Sequence, residues 1–140
     1  MLVAQGKILI GCLNKGDDLL KALTDICNQE NIRLGEFSLV GALKGVFMGY
    51  YLQAEQKYVT CVELKDTLEI ASCIGNVSLK EGEIFVHVHI VVADHNGVCY
   101  GGHLMEGSEV FAAEYVVREL TGIDLNRVLD DETGLSLWKK

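Results

Sequence analysis

The run Glu83-Ile-Phe-Val-His87-Val-His89-Ile-Val-Val-Ala93, followed by Asp94-His95-Asn96-Gly97 and Val98-Cys-Tyr-Gly101-Gly102-His103-Leu104, decides the reading of this chain. Glu83 to Ala93 is rich in β-branched residues, the composition of a strand. Asp94 to Gly97 carries the residues of a tight turn, so Val98 to Leu104 is expected to return antiparallel to the strand before it. Residues i and i+2 of a strand share a face, about 6.5 to 7 Å apart, which places the His87 and His89 imidazoles side by side. A hairpin centred near Asn96 brings His103 within one or two residues of a position opposite His87 or His89. Gly101 and Gly102, without side chains, would let a backbone, a ligand or a neighbouring subunit come close.

Two readings of this patch are open. The three histidines can be half-buried, hydrogen-bonded structural groups, or they can be the ligands of a metal ion. Three neutral imidazoles suit a borderline ion such as zinc, and three protein ligands with a position left for water is the catalytic type of zinc site. His95, in the turn, is expected to be exposed and to ligate nothing.

Outward from the hairpin, strands are expected in residues 2–13, Phe37 to Leu43, Val46 to Tyr51 and Tyr58 to Glu63, the last two paired across the turn Gln53 to Lys57. Thr67 to Ile74 and Val77 to Leu79 form a further β region, with a bulge expected at Gly75-Asn76. Leu19, Leu20, Leu23, Ile26 and Cys27 recur at helical spacing, with Asp17 read as the cap and Asn31 as the end. Residues 109–120 fit either period, and their β-branched and aromatic content favours a strand. Gly41-Ala-Leu-Lys-Gly45 lacks the spacing of a phosphate loop and reads as a strand bend. The acidic run Asp130-Asp131-Glu132 reads as a solvated face.

The 140 residues, 49% hydrophobic and 23% charged, fit one domain over 1–140 with an ordinary core, and neither disorder nor a repeat array. Twelve Lys and Arg against twenty Asp and Glu give a net charge of -8, and no basic run exceeds Lys139-Lys140. Such a chain repels a phosphate backbone on average. Five scattered cysteines, an odd number with no Cys-x-x-Cys, suit reduced thiols that fill core and strand positions. Ile10-Gly11-Cys12 has the shape of a lipoprotein cleavage site, but Lys7 leaves only three apolar residues before Gly11. No run approaches the roughly 18 apolar residues of a membrane span. A soluble, cytoplasmic protein is expected, with no membrane partner.

The hairpin resembles the prokaryotic branch of the plants-and-prokaryotes-conserved (PPC) domain family. Further matches are Gly16-Asp-Asp-Leu-Leu, Gly41-Ala-Leu, Leu68-Glu69-Ile70 followed by Gly75-Asn-Val-Ser78, and Asp131-Glu-Thr-Gly134-Leu. The resemblance implies an α/β domain of α+β type, with a largely antiparallel sheet flanked by helices and assembled as a homotrimer. It also implies that 109–120 is a strand and that His87, His89 and His103 bind a metal such as zinc. Hydrolysis or hydration is the natural class for such an ion, and Glu106 and Glu69 are the candidate general bases, with Glu106 favoured for following His103. Plant members pair the domain with an AT-hook, and prokaryotic members take the DNA-binding label by extension. This chain has no Arg-Gly-Arg-Pro core and no proline. The rival reading is therefore a DNA-associated or regulatory interaction module with structural histidines.

Overall fold

A computed structural model describes residues 1–139. The apolar spacing read from the sequence produces the helix α1 (Leu19–Gln29), whose Leu19, Leu23 and Cys27 are fully buried. Its cap is Asp18 rather than the expected Asp17. The Asp18 carboxylate accepts from Lys21 N at 3.0 Å, whereas Asp17 turns back and accepts from Asn14 N at 2.9 Å. Asn31 ends the helix as expected, in a left-handed conformation with φ of 53° just past the cap Glu30.

Everything else with regular structure is strand. The chain runs β1 (Ala4–Leu13), α1, β2 (Gly35–Leu43), β3 (Val46–Leu52), β4 (Lys57–Leu64), β5 (Leu68–Lys80), β6 (Glu83–Ala93), β7 (Cys99–Leu104), β8 (Val110–Thr121), β9 (Asn126–Leu129) and β10 (Ser136–Trp138). These form one sheet in the order β1-β8-β2-β5-β6-β7-β3-β4, with β9 beside the end of β5 and β10 beside β9. All pairings are antiparallel except β5 with β9. The ambiguous run is indeed the strand β8. Gly41 marks a bend, where the pairing of β2 with β5 slips between Leu39 and Gly41.

Two expectations need correction. Gly75 and Asn76 do not interrupt β5, because they pair in register with Val88 and His87; the slip lies between Ile70 and Ser72. Gly75 is there for packing, since a Cβ on it would lie 2.3 Å from the Phe37 ring and 2.3 Å from the His87 carbonyl oxygen. The sheet is also not flanked by helices: α1 is the one helix among the described residues. It covers one face, where Leu23 meets a core that includes Phe37, Cys73, Val77, Val88, Ile90 and Val117. The other face carries alternate residues of the same strands and is bare of helices among the described residues, with Ile10 78%, Val40 60% and Ile74 60% exposed. No helix among the described residues is long and apolar enough to cross a membrane.

Candidate metal centre

Strand β6 alternates strictly. Val86, Val88, Ile90 and Val92 are buried towards the core, which sends His87 and His89 to the bare face. β7 pairs with β6 so that His103 stands directly opposite His89. The ring centroids are 5.1 Å apart for His87 and His89, 5.0 Å for His87 and His103, and 5.6 Å for His89 and His103. One nitrogen from each ring lies within 4.8 Å of those of the other two. The convergence expected from the sequence is therefore present, with His89 as the register partner.

The electrostatics favour lone pairs over protons. Burial, with His103, Arg127 and His89 nearby, pushes His87 down to about 4. Burial, followed by His89 and Arg127, also lowers His103. Nδ1 of His103 is buried with no hydrogen-bond partner. A buried polar nitrogen without a partner is costly, and this one belongs to one of the three convergent rings. Convergent imidazoles, with protonation disfavoured at His87 and His103, are a donor set that zinc and similar divalent ions take.

The remaining candidates fall elsewhere. Glu106 pairs with Lys21 at 3.3 Å on the exposed surface. Glu69 is exposed and opposite Ala93, four residues along β6 from His89, or about 13 Å. Neither reaches the histidines. His95 is exposed and contacts Asn96. Cys27 and Cys73 are core residues whose thiols burial raises to about 11 and 12, so they are not poised as thiolate ligands. Gly102 serves the fold: a Cβ there would lie 3.0 Å from the Gly49 carbonyl oxygen, so its absence admits β3 against β7.

Two neighbours of the cluster had no signal in the sequence. The Tyr58 ring, from β4, lies 4.7 Å from that of His103. Arg127, from β9, donates from Nε to Ser78 Oγ at 2.9 Å, from Nη2 to Asn76 Oδ1 at 2.7 Å and from Nη1 to the Ser136 carbonyl at 3.1 Å. Asn76 is the register partner of His87, so β5 ties Arg127 to the site. Tyr58 and Arg127, with His87, His103, Lys80 and Leu137, line a pocket of about 280 Å³.

Residues 3–121 match the model of the Plants and Prokaryotes Conserved (PCC) domain. The chain belongs to this family. A metal-containing protein of Archaeoglobus fulgidus is 37% identical, with a TM-score of 0.93 over 99% of this chain and 97% of that one. A plant- and prokaryote-conserved protein of Pyrococcus horikoshii is 36% identical, with a TM-score of 0.93 over 99% and 95%. A candidate DNA-binding protein of Bacteroides thetaiotaomicron shares the fold at 22% identity, with a TM-score of 0.87 over 98% and 96%. The curated bifunctional protein GlmU of Synechococcus is 31% identical over 121 residues, which are 85% of this chain but 18% of that protein's length.

Proposed function

We propose that this PCC-domain protein holds one divalent ion, zinc or a similar metal, through His87, His89 and His103, and presents it to a small ligand or to water. The reading is carried by one observation: three imidazoles, each with a nitrogen within 4.8 Å of those of the other two, in a cluster whose His103 also has a buried Nδ1 without a hydrogen-bond partner. The description of the Archaeoglobus protein as metal-containing supports it. When bound by three imidazoles, such an ion keeps a coordination position for water or for a carbonyl oxygen and acts on it as a Lewis acid. The chain's own residues orient the three imidazoles, burial disfavours protonation of His87 and His103, and Tyr58 and Arg127 wall the approach. With Glu69 and Glu106 both away from the cluster, the reading extends to ligand or water binding and assigns no general base. Elemental analysis of the untagged protein tests it. About one divalent metal per chain is expected, and no metal even after incubation with zinc would contradict it.

The trimeric state that the family resemblance implies, and the cytoplasmic location expected from the sequence, are part of the same proposal. Five free cysteines suit a reducing compartment. On the bare face, Ile10, Val116, Ser38, Ile74, His89 and His103 are successive cross-strand partners, so a row that is apolar except for Ser38 runs across the sheet and ends at the histidines. Exposed apolar rows of this kind mark interfaces, and a neighbouring copy laid on this one would border the metal position. Light scattering is expected to give three times the chain mass, and Ile74→Glu is expected to lower it; a native monomer at micromolar concentration would contradict the trimer. The DNA-associated reading draws on relatives that share the fold alone at 22% identity, and the net charge of -8 opposes it.

A further inference from the structure

Arg127 is the unusual charge of this molecule. Of the three arginines, Arg33 pairs with Asp124 and Arg118 with Glu36, while Arg127 has no carboxylate partner among the described residues of a chain with 20 Asp and Glu. Its three hydrogen bonds go to neutral acceptors, and its guanidinium lies 5.1 Å from the Phe85 ring centroid and 5.6 Å from that of Trp138. Those bonds and rings fix the plane of the group, and one N–H remains on each Nη for another partner. The group is half-buried, and burial opposes its charge. A partly desolvated, immobilised cation without a counter-ion is a cost that an anionic partner would remove.

The pocket supplies the place for that partner. Lys80, also without a carboxylate partner among the described residues, lines it beside Arg127, and His87 and His103 line the same space. A planar guanidinium with free N–H groups favours oxyanions, which it can meet with two parallel hydrogen bonds. From this juxtaposition we infer that the pocket binds a small molecule bearing a carboxylate or phosphate group, held by Arg127 and Lys80, with its other end at the histidine cluster. About 280 Å³ restricts it to a small metabolite-sized acid or phosphate ester. The role of the far end rests on the metal reading above, and the anion end stands on Arg127 and Lys80.

Isothermal titration calorimetry with glycolate and with inorganic phosphate, on zinc-loaded and on zinc-free protein, tests this. At least one probe is expected to bind, and the probe that binds identifies the oxyanion class. Arg127→Gln should weaken it at least tenfold with the zinc content unchanged. Because Arg127 also braces Ser78 and Asn76, Lys80→Gln serves as a second variant and should weaken the same probe at least threefold with unchanged thermal unfolding. Binding to zinc-free protein that Arg127→Gln removes would uphold the anion site even if the metal reading failed. Binding of neither probe, or equal binding by native protein and both variants, would overturn the inference.

Discussion

Replacing His103 with alanine is expected to lower the affinity for zinc by more than 100-fold while leaving the fold in place. His103 is the only histidine of the cluster that β7 supplies, and its removal leaves two imidazoles from one strand. Losing an outer-shell partner of a metal ligand costs about 10- to 100-fold in affinity, and losing the ligand itself should exceed that. Stability should change little, because the substitution also removes a buried nitrogen that has no partner. The ring contact with Tyr58 is lost as well, worth about 0.5–1.5 kcal/mol. Competition against a chromophoric chelator measures the first effect and thermal unfolding of metal-free protein the second. A zinc affinity within threefold of the native value would remove His103 from the site.

The second large effect concerns the sheet beneath the site. Gly75→Val should destabilise the protein by about 3 kcal/mol or more, the upper range for overpacking a core. Any side chain at this position drives a Cβ to 2.3 Å from both the Phe37 ring and the His87 carbonyl oxygen. The oxygen belongs to the paired strand and cannot rotate away, and Phe37 is itself buried against the core. Relief requires β5 and β6 to separate where β6 carries His87, so a variant that still folds should also bind metal less well. Urea unfolding checks this. A Gly75→Val protein within 0.5 kcal/mol of native, on the order expected of a neutral surface change, would show that the close approach does not constrain the sheet.

The parts of this molecule that could be read from the sequence are those set by local periodicity. The two-residue spacing of His87 and His89 on a strand put them on one face, and the turn at Asp94 to Gly97 brought His103 within one or two residues of a position opposite His87 or His89; the observed partner is His89. The helix was visible because Leu19, Leu23 and Cys27 share one face, although choosing between the adjacent Asp17 and Asp18 as cap depended on which carboxylate the Asn14 backbone had already engaged. What stayed hidden was tertiary. β9 and β10 are four and three residues long, too short for a pattern, and Arg127 reaches the site only because β9 lies along the end of β5. Gly75 read as a bulge because the sequence does not reveal that a Phe37 ring occupies the space above it.

The most direct test of the central claim is X-ray absorption at the metal edge of the zinc-loaded protein. A shell of three histidine nitrogens at about 2.0–2.1 Å with an additional oxygen ligand is the predicted result. A sulfur shell at about 2.3 Å, or oxygen ligands without imidazole scattering, would place the ion elsewhere and contradict the account.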